Sequence, residues 1–290
     1  MHRRLFVQSL LGASLPAQDL TLSGPVLGYV LAEDHQLRPL IGPAGSAYLA
    51  PSLAAPSALR QWAGSYGLDA DGQLLFGRGT QPLRPVETEG GWEQLTGSPH
   101  PDVALVRRGS RVAIARDGLA AAPVDLGLPA RQWAIGAQAD ALAAADAERI
   151  ALWRPDGALL FQTPAEDVRA LAVLPGATVA AALPDGLLIA DAAGRRDLLP
   201  TGPAAALALT GDGATLALLD PAAAKLILLS LASRQWREEK IPFAPSHLSP
   251  LRDGRSVLLT GSPAEPPWTL TIDGADLTWS QIPLPQQGQN

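Results

Sequence analysis

The chain has no cysteine among its 290 residues. That excludes disulfides, a thiol nucleophile, a zinc–thiolate centre and an acylated lipoprotein cysteine together. Lysine is almost as scarce, present only as Lys225 and Lys240, and charged residues of all kinds make up 17% of the chain. With a formal net charge of -6 there is no basic footprint for nucleic acid, which is excluded as a partner. No apolar run approaches the roughly eighteen residues of a membrane-spanning helix, so none is expected in the mature chain.

Chemistry-bearing patterns are equally sparse. Four histidines occur, His2, His35, His100 and His247, without the His-x-His or His-Glu-x-x-His spacing of a local metal site. No G-x-S-x-G elbow is present, and Gly77-Arg78-Gly79 and Gly211-Asp212-Gly213 are too short to cradle phosphate. Asp69-Ala70-Asp71-Gly72 carries only a fragment of the oxygen-ligand spacing a calcium loop needs. No cofactor, no metal and no catalytic residue is expected on these grounds.

What the sequence does contain is a repeat. Residues 168–203, 205–243 and 247–284 each read as an apolar strand, a glycine turn, a second apolar strand, a polar break and two further strands. Glycine and proline number 28 and 27, in keeping with a chain that turns sharply many times. The turn between the first two strands recurs at Gly72, about Pro101, about Asp140, Gly176, Gly213 and Gly254. One interval is therefore 29 residues, and the rest lie between about 36 and 41. Arg60-Gln61-Trp62-Ala63 returns verbatim as Arg131-Gln132-Trp133-Ala134. Four short strands per repeat at this period predict an all-β propeller of four-stranded antiparallel blades. Seven blades are expected, six being the alternative, at roughly 24–55, 56–91, 92–129, 130–167, 168–203, 204–245 and 246–285.

Asp-Gly pairs at Asp71, Asp117, Asp156, Asp185, Asp212, Asp253 and Asp273 supply the positive φ of tight hairpins. The alanine-rich residues 139–149 could form a helix, but their place in the repeat favours strand plus turn. Residues 24–55 fit a first blade short of strands, or strands that close the ring on the last blade. The seven tryptophans, spread one or two per unit, are expected to pack between blades. At the N-terminus, Met1-His2-Arg3-Arg4, an apolar stretch and Ser14-Leu15-Pro16-Ala17 have the layout of a signal peptide over residues 1–18. One domain, residues 19–290, exported to the periplasm or beyond, is the resulting expectation.

With Arg154-Pro155-Asp156-Gly157, Leu183-Pro184-Asp185-Gly186 and the related turns at Gly211 and Arg252, the chain resembles the loosely related bacterial propellers of the TolB, YVTN and WD-repeat-like group. The resemblance covers roughly residues 56–285 and implies the fold. It departs from true WD repeats, which carry a Gly-His and Trp-Asp pair in each unit. It also lacks the repeated tryptophan-docking signature of quinone-dependent dehydrogenases.

One set of residues is the candidate site. Alignment of the first strands puts Arg60, Glu93, Arg131, Arg169, Ala206 and His247 in equivalent places. If these open the innermost strands, Arg60, Glu93, Arg131, Arg169 and His247 form a mainly cationic collar at one mouth of the channel, suited to an anion or an acidic peptide. The expected role is a binding or scaffolding module for another protein or a cell-envelope component. A hydrolase or lyase with its site at the axial mouth is the alternative.

Overall fold

The computed structural model describes residues 24–32, 35–241, 243–262 and 265–284; the signal-peptide reading falls outside them. Seven antiparallel sheets follow one another along the chain, each built from strands consecutive in sequence. Blade 1 comprises Val26–Leu31, Leu37–Ile41 and Tyr48–Leu49. Blades 2 to 7 begin with Leu59–Ala63, Gln94–Gly97, Gln132–Ile135, Ala170–Leu174, Ala206–Leu209 and His247–Pro250, and each adds three strand positions outward. In blade 3 the outer position is split between Leu119–Ala120 and Val124–Asp125, both paired with Arg111–Arg116. The only helical turn among the described residues is Ala44–Ser46.

Residue alternation explains why these strands pack as blades. In Thr178–Leu183, Val179, Ala181 and Leu183 enter the core shared with blade 4, whereas Ala180 and Ala182 enter the core shared with blade 6. Blade 6 does the same one step on, with Leu216 and Leu218 facing blade 5 and Ala217 and Leu219 facing blade 7. A strand with a core on each side must be apolar at successive positions, and a period of two sorts its side chains between them. Seven such cores are formed by the described residues. The last two join blade 7 to blade 1 through Leu251, Leu258, Leu27 and Leu40, and blade 1 to blade 2 through Tyr29, Leu37, Leu59 and Leu75, so the ring is closed.

The alanine-rich stretch resolves as strand plus turn: Leu142–Ala145 and Arg149–Trp153 pair antiparallel. Three tryptophans are buried between blades as expected, Trp92, Trp133 and Trp153, while Trp236 on an outer strand is 39% exposed. One turn assignment needs correction. Gly72 lies between the second and third strands of blade 2; the turn between the first two is at Gly64 and Ser65. Gly64 precedes Pro101 by 37 residues, so the short interval of 29 came from a misplaced turn and not from a short blade.

Blade 1 differs from the others in direction. In blades 2 to 7 the innermost strand runs toward the face where the first-to-second turns lie, here called the turn face. Val26–Leu31 starts beside one of those turns, its Leu27 carbonyl accepting from the Arg252 amide at 2.8 Å. It therefore runs like a second strand. Its inner edge is capped by side and main chain of neighbouring blades: the Trp62 indole Nε1 donates to the Tyr29 carbonyl at 3.0 Å, two residues from the Arg252 contact.

Candidate functional site

The two ends of the channel carry different chemistry. At the turn face, the first-to-second turns of blades 2, 3 and 7 converge. Gly64 has φ +55°, and a Cβ there would stand 2.3 Å from the Pro101 carbonyl oxygen, so only glycine lets this turn pass beneath blade 3. The approach places the Ser65 amide 2.8 Å from the same oxygen and the Ser65 hydroxyl, donating, 2.6 Å from Asp102 Oδ1. From blade 7, Arg252 Nη1 donates to Asp102 Oδ2 at 2.9 Å and Nη2 to Oδ1, the fork-to-fork geometry that makes arginine–carboxylate pairs strong. Arg252 Nη2 also donates to the Ser65 hydroxyl at 2.6 Å. Since blades 7 and 3 are separated by blades 1 and 2, the contact spans the channel opening at this face.

Around this clasp the neighbouring polar groups are matched, apart from one atom of Arg252 itself. The Tyr66 hydroxyl donates to the Asp102 carbonyl at 3.2 Å and accepts from the Gly118 amide at 3.0 Å. Tyr29 donates to the Gly79 carbonyl at 3.1 Å. The Asp102 amide donates to His100 Nδ1 at 3.3 Å. Burial by itself would raise the Asp102 pKa, but the hydrogen bonds and charge of Arg252, with the Ser65 hydroxyl, more than offset it and hold the carboxyl below its usual range. Burial pushes the Tyr66 phenol up to about 12 and raises Tyr29 as well, so both stay neutral and act as donors. Arg252 Nε is buried with no partner. A cavity of about 340 Å³ lies alongside, lined by Gly24, Val26, Arg78, Gly79, Thr80 and Arg252.

The opposite end, where the innermost strands begin, holds the predicted collar. Glu93, Arg131 and Arg169 occupy one register position: each donates its amide to the second strand of its blade, at the carbonyls of Arg107, Ala145 and Ala182. In blades 6 and 7 that position belongs to Ala205 and Ser246, bonded to Leu219 and Thr260. Ala206 and His247 are thus one residue further on, and one residue turns a side chain to the other side of its strand. In blade 2 a bulge between Leu59 and Gln61 accommodates Arg60. All five candidates are exposed. Arg60 Nη2 donates to the Trp92 carbonyl, and Glu93 Oε2 accepts from the Gly109 amide at 3.1 Å. The His247 ring sits 6.5 Å from Trp62, with Nδ1 3.2 Å from the Ser246 hydroxyl.

Arg131 and Arg169 have no ion-pair partner among the described residues, whereas Arg149 and Arg195 on the same blades are paired with Asp146 and Asp191. Beside Arg131, between blades 3 and 4, opens a cleft of about 460 Å³ lined by Arg107, Gly109, Ser110, Asp125, Gly127, Pro129 and Ala130. Asp125 is held below its usual pKa mainly by the Ser110 hydroxyl and the Gly127 amide. Among the described residues no group of three or more His, Asp or Glu side chains is arranged to hold a metal ion.

Ser65, Asp102 and Arg252 were not legible as a set. The one local signal is Arg252 itself, a long cation two residues before Gly254, where the two preceding repeats have Leu174 and Gly211. Its partner lies 150 residues away, and nothing local points to it.

No protein-family model and no curated protein sequence matches the chain. Among solved structures it is similar to PorZ, a bacterial surface component of the type-IX secretion system of Porphyromonas gingivalis. That match has a TM-score of 0.59 and 13% identity, and it covers 90% of this chain and 37% of that one. It is also similar to a chain of Kuenenia stuttgartiensis hydrazine synthase, with a TM-score of 0.57, 12% identity, and 92% and 99% of the two chains covered. The β-propeller domain of Cps50 (Swd1) from Myceliophteria_thermophila superposes more loosely, at a TM-score of 0.49 and 18% identity over 62% of this chain and 66% of that one. The chain thus spans about two thirds of the Cps50 domain structure and little over a third of PorZ. At these identities the likeness is one of fold.

Proposed function

We propose that this propeller is an exported binding module that engages an acidic segment of a partner protein at the collar end of its channel. The carrying observation is the pair Arg131 and Arg169. They hold the same register position on adjacent innermost strands, are exposed, and have no ion-pair partner among the described residues. An unpaired guanidinium presents a planar fork of donors to an incoming carboxylate. The cleft beside Arg131, with Arg107 in its wall, gives such a segment a recess in which to seat a side chain. Export is supported by the basic, then apolar, then small-residue order of residues 1–18.

The test is calorimetric titration of the mature chain with a synthetic glutamate-rich peptide and with its glutamine counterpart. The glutamate peptide should bind, more weakly as salt rises. R131E/R169E should cut affinity at least tenfold, about 1.4 kcal/mol, with thermal stability unchanged. Equal binding of both peptides, or no loss in the double variant, overturns the reading. N-terminal sequencing of the exported chain should begin just after Ala17, at Gln18 or Asp19; an intact N-terminus overturns the export assignment.

A further inference from the structure

We propose that the Arg252–Asp102–Ser65 clasp, together with Trp62, is the lock that closes the propeller ring across blade 1. Every ring built from a linear chain has one seam where its first and last blades meet without a covalent link. Here that seam lies between blades 7 and 1, which share a core through Leu251, Leu258, Leu27 and Leu40. Blade 1 also meets it with an inner edge that pairs differently from the rest.

The innermost strands of blades 2 to 7 contact their neighbours in an unbroken series from Leu59–Ala63 round to His247–Pro250. Between the two ends of that series stands Val26–Leu31, running as a second strand. Its inward carbonyls are engaged by donors from both flanks: Leu27 by the Arg252 amide of blade 7, and Tyr29 by the Trp62 indole of blade 2. The Trp62 and His247 rings, 6.5 Å apart, bring the flanking strands together over that edge. A strand edge left with open acceptors would invite pairing with another chain; these donors occupy them.

Arg252 does a second job with its side chain. The same residue whose amide holds blade 1 reaches past it to Ser65 of blade 2 and Asp102 of blade 3. Main chain and side chain of one residue thus tie blade 7 to the three blades that follow it round the ring. Asp102 is 6% exposed, and the Arg252 side chain 25%, so water competes little for the pair. The lock therefore rests on few atoms, and losing them is expected to loosen the seam locally while leaving the far side of the ring intact.

Hydrogen exchange of the full chain reads this directly. In R252M, which keeps the aliphatic length and loses the donors, exchange of residues 26–31, 59–63 and 247–250 should quicken about tenfold or more. Residues 132–145 and 170–191, in blades 4 and 5, should be unchanged. W62F should speed exchange in residues 26–31 alone. D102N added to R252M should produce no further change, because the two share one interaction. If R252M fails to fold, R252K keeps a single charged contact and should give the same pattern at smaller amplitude. Exchange that rises uniformly round the ring, or nowhere, or additively in the double variant, overturns the proposal.

Discussion

At the scale of single residues one carboxylate, Asp102, ties three blades together. Asp102 is a buried carboxylate in an apolar ring, and its pKa lies below the ordinary 3.8 because Arg252 and Ser65 favour its charged form over burial's opposing push. A depressed folded-state pKa contributes stability in full above the unfolded value, and the contribution is lost as pH falls through the folded value. D102N removes it and leaves the Arg252 charge with a neutral partner, an effect of about 3–5 kcal/mol for a buried pair. Urea unfolding of wild type and D102N should therefore differ by a constant amount at neutral pH, with the gap narrowing below about pH 3.8. His100 adds a smaller electrostatic contribution that lowers the Asp102 pKa, so H100N should be measured alongside. A gap that narrows near neutrality instead would assign the effect to another group.

At the scale of elements, strands and turns were legible because each is written locally. Successive apolar residues bounded by Gly176, Gly213 or Gly254 identify sandwiched strands, while which of Val179, Ala180, Ala181 and Ala182 faces which blade emerges only from the packed cores. Two errors show where locality ends. Asp71-Gly72 has the same chemistry as Asp212-Gly213, so sequence alone cannot tell a second turn from a first; the structure places Gly64 there. The collar slipped by one residue in blades 6 and 7 because alignment by length does not register the backbone bond made by Ala205 or Ser246. The clasp was invisible for a stronger reason: its members lie on three blades and only the closed ring assembles them. The same strands give a prediction about packing. Ala181 is fully buried against blade 4, and A181L should destabilise by about 1–3 kcal/mol through overpacking. Leu198 is exposed two strands outward, and L198A should change the unfolding midpoint little.

At the scale of the whole molecule, seven cores linked in a circle leave no terminal repeat to fray. In an open repeat array stability is a sum over neighbours, and the ends melt first. A closed ring has no such ends. Near-ultraviolet circular dichroism, reporting on buried Trp92, Trp133 and Trp153, should lose its signal over the same temperature range as far-ultraviolet dichroism. Separate transitions would mean that packing between blades 2, 3 and 4 is lost apart from the strands themselves. The closure has a further consequence for how the chain is made. Leu40 of blade 1 packs with Leu258 of blade 7, so the first blade to leave the ribosome waits for the last before one of its faces is covered. Throughout synthesis Leu27, Val30 and Leu40 stay without their mates, and a chain stalled or cleaved short of residue 251 exposes them for good.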